Sequence, residues 1–266
     1  MSWDKRQTAM LRAMGLRVWS PPLPRPVEEA DVATMAAPEP EPAVAPVRVV
    51  AALSPQLLRQ AAPPAIETDE RSHAIGRMDW DELRDSVAQC RACGLCESRK
   101  NTVFGVGNTR AHWMIVGEAP GENEDLQGEP FVGQAGKLLD NMLRALGLSR
   151  SEGPPEQQVY IANTLKCRPP RNRNPEPSEL AQCEPYLDRQ IALIQPKVIL
   201  AMGRFAVQSL LRSSDAIGRL RGRVHQYQGV PLVVTYHPAY LLRNLPDKAR
   251  AWEDLCLARE ALASSS

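Results

Sequence analysis

The chain has 266 residues and balances 32 Lys/Arg against 31 Asp/Glu, for a formal net charge of +1. It contains no apolar run near the roughly 20 residues that span a bilayer, and MSWDKRQTAMLRAMGLRVW lacks the apolar core and cleavage site of a secretory signal, so a cytoplasmic protein away from membranes is expected. The balance hides an asymmetry: residues 1–85 carry 10 basic and 13 acidic side chains (−3), and residues 86–266 carry 22 and 18 (+4), a mild basicity compatible with nucleic acid.

Residues 1–24 open with an amphipathic segment in which Met10, Leu11, Met14 and Leu16 recur near helical spacing. A helix this short is marginal in water, so it is either a frayed tail or a docking peptide anchored by Trp3, Leu11, Leu16 and Trp19. The pattern faintly resembles the N-terminal peptide by which the psi subunit of the bacterial replicative polymerase binds the clamp-loader collar. Residues 25–78 are expected to be a linker, since 11 prolines fall between positions 20 and 66 and such a composition cannot bury enough apolar surface to offset ordering entropy. Within it, residues 47–62 have the character of a short helix. From residue 79 the chain is expected to fold as one domain. DWDELRDSVAQ predicts a helix capped by Asp79, with Leu83 and Val87 four apart. Beyond it, apolar runs at 113–117, 159–163, 198–202 and 232–236 alternate with helical patterns at 134–146, 179–194, 204–211 and 248–263, which argues for a parallel sheet with helices on both faces.

The first of those runs opens into Val116–Lys137, VGEAPGENEDLQGEPFVGQAGK, with five glycines and four glutamates. A long connection between strand and helix usually has a function, and in α/β sheets ligands bind beyond the carboxyl ends of the strands. It is not a nucleotide loop: GQAGK lacks the full Walker A spacing and its following Ser/Thr, and GxGxxG is absent. Cys90 and Cys93 form a CxxC pair; Cys167 and Cys183 lie far downstream and 16 positions apart. Four thiolates so arranged suit structural zinc or an iron–sulfur cluster, and the spread second pair favours 4Fe–4S. Cys96 competes with Cys93 for a ligand role, the lesser reading of Cys183 is a buried helix cysteine, and Cys256 reads as core. Between the distant cysteines, Arg168, Arg171 and Arg173 form either a solvated loop or a basic one that grips phosphates.

GEAPGENED, EPFVGQAG, YIANTLKCRPPRNR and HPAYLLRN, together with Cys90, Cys93, Cys167 and Cys183, resemble the family 4 (iron–sulfur) uracil-DNA glycosylases from about Val87 to the C-terminus. The resemblance implies a three-layer α/β/α sandwich on a four-stranded parallel sheet, and a 4Fe–4S cluster on those four cysteines. It implies a monofunctional enzyme that hydrolyses the N-glycosidic bond of uracil in single- or double-stranded DNA to start base-excision repair. Such an enzyme would act as a monomer over the bacterial nucleoid, without metal in the chemistry. His237 would donate to uracil O2 as a neutral imidazole, the Asn163 amide would match O4 and N3–H, and Phe131 would stack on the flipped base. Glu118 and Ala119 would line the pocket, Glu124 would wall off the C5 edge, and Glu118 would stabilise the sugar cation or position water. Ala119 stands where family 1 enzymes carry a water-orienting Asp, which points to a dissociative mechanism. In HPAYLLRN, Leu241 would be the minor-groove wedge and Arg243 a phosphate contact, with Arg168 and Arg171 contributing further DNA contacts; the other reading of Leu241 is a core residue. The rival function is a replisome-tethered uracil-DNA-binding adaptor with little turnover.

Overall fold

The structure, a computed structural model, describes residues 65–264 apart from residue 152, with side chains from Glu70 onward. The docking peptide of residues 1–24, the helical character at 47–62 and the linker as far as residue 64 lie outside the described residues. The end of that expected linker does not: helix α1 (Ala65–Ile75) is folded, with Ile75 buried beside Leu83, Val87 and Tyr186. The domain therefore reaches further upstream than the Asp79 boundary. The prolines stop at Pro64, and Arg71 binds the main-chain oxygen of Gln182 at 3.0 Å and lies over the Tyr186 ring.

Helix α2 (Trp80–Gln89) starts where its cap predicts. Asp79 Oδ1 accepts from the N–H groups of Asp81 and Glu82 at 3.0 and 2.9 Å, while Glu82 Oε2 accepts from Asp79 N at 2.9 Å. This reciprocal box satisfies donors that a helix start leaves without partners.

The sheet has six strands: β1 (Val106–Gly107), β2 (Trp113–Gly117), β3 (Val159–Asn163), β4 (Val198–Met202), β5 (Val224–Tyr227) and β6 (Val230–Thr235), in the order β1-β3-β2-β4-β6-β5. The four expected strands are its parallel centre, β3-β2-β4-β6. Each side gains a short antiparallel edge, β1 on β3 and β5 on β6. The β5–β6 hairpin turns on Gln228 and Gly229, both at positive φ (47° and 83°), as a two-residue turn matched to strand twist requires.

Central strands buried on both faces read as continuous apolar runs, and alternate residues serve opposite layers. Met114, Val116, Ile199, Ala201, Leu232 and Val234 pack with Leu187 and Ile191 of α5 (Pro177–Ile194) and with Ala206 and Val207 of α6 (Arg204–Leu211). Trp113, Ile115, Ile161, Leu200 and Val233 pack on the other face, against Leu139 and Leu143 of α4 (Gln134–Ala145) and Leu255 and Ala258 of α9 (Asp247–Ser264). Three short helices complete the fold: α3 (Glu122–Gln127), α7 (Ile217–Leu220) and α8 (Pro238–Leu241). Among the described residues no helix is long and apolar enough to cross a membrane.

Candidate active site and cysteine hollow

The chain leaves β2 at the centre of the sheet, adds β3 on one side, then crosses back to place β4 on the other. The carboxyl ends of these strands open into a cleft of about 770 Å³, lined by Glu118, Ala119, Phe131, Asn163, Arg204 and His237 among others. This is where an α/β sheet offers a ligand site.

Asn163 is the last residue of β3 and is 2% exposed. Its Oδ1 has no hydrogen-bond partner, which is rare and costly for a buried acceptor. The amide is wedged against Gly117, where a Cβ would stand 2.4 Å from Asn163 Oδ1 and 2.7 Å from Phe131 Cζ. Only glycine lets these two groups reach the end of β2.

Phe131 is not a ring held out in solvent. It is 6% exposed, sits at a φ of 55°, and its ring lies against that of His237 with centroids 5.4 Å apart and planes 28° from parallel. A third ring does not fit between the two. The strained backbone is clamped from two directions. Arg150 donates to the carbonyls of Pro130 and Phe131 at 2.9 and 3.2 Å. Glu124 accepts from the N–H groups of Gly121, Val132 and Gly133 at 3.0–3.1 Å. Glu124 thus lines the cleft, but its carboxylate is committed to holding the loop, because a glycine-rich segment outside regular structure leaves N–H groups in need of acceptors. Helix α4 follows closely: a Cβ on Gly136 would collide with the Phe131 carbonyl.

His237 caps α8, and its Nδ1 accepts from Ala239 N at 3.2 Å. That bond assigns the proton of the neutral ring to Nε2. Burial pushes its pKa down to about 4; Glu124 opposes this shift and Arg243 adds to it. His237 is therefore a neutral N–H donor at physiological pH. Burial raises the pKa of Glu118, with Arg204 opposing, and among the described residues its carboxylate makes no hydrogen bond. Ala119 lines the cleft and packs against the apolar shell of Leu95, Leu165 and Phe205.

The basic residues divide. Arg243 and Arg171 are exposed, Arg243 in the cleft. Arg168 donates to Asn172 Oδ1 at 2.8 Å and lies 3.8 Å from Glu122. Arg173 is taken up by a two-pronged pair with Glu179, at 2.9 and 2.6 Å, and is not a free phosphate ligand. Leu241 is a correction. It is 0% exposed, because PAYL forms the single helical turn α8 that packs on α4 and turns this residue inward. The exposed leucines of the segment are Leu242 and Leu245, at 42% and 60%.

A small hollow is lined by Cys90, Cys93, Cys96, Cys167 and Cys183. All six cysteines of the chain are free, and Cys256 is half-buried on α9. Burial raises the pKa of Cys93 and Cys167 and pushes that of Cys183 up to about 12. Cationic donors face them: Arg99 reaches Cys167 Sγ at 3.1 Å and Arg71 reaches Cys90 Sγ at 3.8 Å. Lys166 is buried in the same wall and donates to Asn163 O at 2.8 Å and Gln190 Oε1 at 2.7 Å. Among the described residues no three His, Cys, Asp or Glu side chains are placed to hold a single metal ion. Several thiols around one hollow, with cationic donors behind them, are a donor set of the kind that metal centres use. The sequence reading missed Arg150 and Lys166; a basic residue flanked by strand or loop residues carries no local signal of its partner.

Comparison with known proteins agrees with this geometry. Residues 104–256 match the model of the uracil DNA glycosylase superfamily. A type-4 uracil-DNA glycosylase of Saccharolobus solfataricus is 44% identical over 193 residues, spanning 69% of this chain and 87% of the relative. Type-4 enzymes of Archaeoglobus fulgidus and Thermotoga maritima are 45% and 43% identical over 170 residues each, covering 61% and 63% of this chain and 82% and 85% of theirs. The chain belongs to the uracil-DNA glycosylase superfamily.

Proposed function

We infer that this protein is a monofunctional uracil-DNA glycosylase of the type-4 kind, acting on uracil-containing DNA to begin base-excision repair. The single observation that carries the site assignment is the partnerless Asn163 Oδ1 in the same cleft as a neutral His237.

The base must leave the stack to reach such a cleft. Asn163 would pair with it, Oδ1 accepting from N3–H and the amide nitrogen donating to O4; a fixed amide opposes the pattern of cytosine. Phe131 and Gly117 form the floor, and Ala119 and Glu124 the adjoining wall. As the glycosidic bond breaks, its electron pair leaves with uracil N1 and charge spreads to O2, where His237 Nε2–H donates. Preorganised donors of this type contribute about 10²–10³ in rate. Glu118 faces the deoxyribose cation, which water then captures. Among the described residues no lysine lines the cleft, which supports an enzyme that leaves the abasic strand uncut. Arg243, Arg168 and Arg171 would contact phosphates, and Leu242 and Leu245, rather than Leu241, would fill the vacated stack. Cys90, Cys93, Cys167 and Cys183 would hold a 4Fe–4S cluster that ties α2, the end of β3 and α5 together. Single- and double-stranded DNA are both substrates on this reading, at the nucleoid, with residues 1–24 as the tether to a clamp loader.

The test is incubation with a uracil-containing oligonucleotide followed by alkali. Strand cleavage only after alkali is expected. Absence of cleavage, with tight uracil-specific retention, would replace the enzyme with a binding adaptor, a reading the relatives do not favour. Loss of residues 1–24 is expected to abolish clamp-loader pull-down; unchanged pull-down overturns the tether.

A further inference from the structure

The same cleft holds a second aromatic feature that the uracil pocket does not use. Tyr236 and Tyr240 flank His237 and stack on one another, with centroids 5.1 Å apart and planes 17° from parallel. Both line the cleft and both are only part-buried. The pair is held in place from behind: Tyr240 donates its hydroxyl to Asp247 Oδ2 at 2.7 Å, and Asp247 also accepts from Arg250 at 3.0 Å. With the Tyr240 hydroxyl committed, what this ring offers the cleft is chiefly its face. Two exposed cations, Arg204 and Arg243, line the same cleft. A ring pair meant only for packing would sit in one of the apolar clusters, and neither tyrosine belongs to any of them.

A preformed aromatic stack beside cations is the surface on which proteins seat unpaired bases, and it tolerates sequence because every base has a π-face. We propose that Tyr236 and Tyr240 form a second base subsite, which takes the nucleobase next to the extruded nucleotide in the same strand. This rests on assigning the Asn163–His237 end of the cleft to the extruded uracil. His237 lies between the two tyrosines in the chain, so the pair stands in the same cleft, beside the end assigned to the extruded base. The occupied subsite favours a strand whose flanking base is free of its complement, and therefore single-stranded DNA.

The test uses the full chain and single-stranded oligonucleotides with a stable abasic analogue at the lesion and 2-aminopurine immediately 5′ or 3′ of it, so that excision plays no part. Stacking on the pair is expected to quench emission on one side only. Tyr236→Leu and Tyr240→Leu should each abolish the quench and weaken binding roughly 5- to 100-fold, the range that loss of one stacked base implies. Tyr240→Phe, which keeps the ring, should retain the quench, and Tyr240→Trp, with a larger face, should deepen it. Leucine variants that bind and quench like the wild type overturn the subsite. Should a leucine variant fail to fold, a Tyr240→Trp variant with no deeper quench overturns it as well. Excision of uracil by a wild type that shows no quench on either side removes this proposal and leaves the glycosylase standing; a quench without any excision does the reverse.

Discussion

The cysteine hollow and the strand-end cleft share the apolar cluster around Leu165, which touches cysteines of one and Ala119 of the other, and they are built on opposite principles. The cationic groups around the hollow find partners inside the protein: Arg99 on Cys167, Arg71 on Cys90 and Gln182, Lys166 on Asn163 and Gln190. The cleft keeps a buried acceptor without a donor, Asn163 Oδ1. One region is finished by its own side chains and the group they would hold; the other is completed only when a substrate arrives. That contrast separates scaffold from chemistry, and Lys166 is the joint between them, since it abuts the cysteines and grips the main chain of Asn163, the residue proposed to read the base.

The largest expected effect lies on the chemical side. His237→Ala should lower kcat on uracil-containing DNA by about 10²–10³, with the visible absorption expected of the proposed iron–sulfur cluster unchanged. Asn163→Ala and Asn163→Asp should abolish the preference for uracil, again without touching that absorption. A fall in absorption together with activity in either variant would erase the contrast.

The reverse should hold for Cys183→Ser. It is expected to remove the absorption band and to lower the melting temperature by roughly 5–10 °C, at about 2–4 °C per kcal/mol for a domain of this size. Cys96→Ser should leave the band intact, because the expected ligands are Cys90, Cys93, Cys167 and Cys183. Loss of the band in Cys96→Ser, with retention in Cys93→Ser, would reassign that position.

How far the sequence led depends on whether a signal is local. The strands 113–117, 159–163 and 198–202 and the helix 204–211 match to the residue, because continuous apolar runs bounded by turn residues are local signals. The hairpin edge β5 went unread since its turn is Gln-Gly, not the Asn-Gly or Asp-Gly that announces such a connection. Helix α1 was hidden by the prolines just before it. At the site, residue types on strand ends were legible, whereas side-chain direction was not: Leu241 and Leu242 are adjacent leucines, and only the helical turn of α8 decides which of them faces inward. Glu124 was legible as a loop carboxylate, but its three N–H donors come from residues up to nine positions away.

A smaller effect probes the joint itself. Lys166→Met keeps the length and loses the amine, leaving Asn163 O and Gln190 Oε1 short of a donor, at a cost of about 1–3 kcal/mol for a buried group. If Lys166 acts by positioning Asn163, discrimination of uracil against cytosine should fall while the absorption band stays. A stability loss with unchanged discrimination would leave Lys166 as packing only.

The smallest effect is a pH dependence that should be absent. The His237 pKa is pushed down to about 4, from the roughly 6.5 of a solvated imidazole. Between those two pH values the unfolded chain binds a proton that the folded chain refuses. Stability therefore rises with pH across this window and is lost as pH falls from about 6.5 to 4, by up to about 3 kcal/mol at 1.36 kcal/mol per pH unit. The neutral Nε2–H donor persists throughout, so kcat/KM should show no limb near 6.5 that belongs to this ring. An acid limb should instead come from Glu118, lying above the ordinary carboxylate range because burial raises its pKa, and Glu118→Gln should remove it. A titration near 6.5 that survives in Glu118→Gln and vanishes in His237→Asn would mean that the imidazole is solvated and charged in the working enzyme, and the cleft would then hold its donor in the same open state as its acceptor.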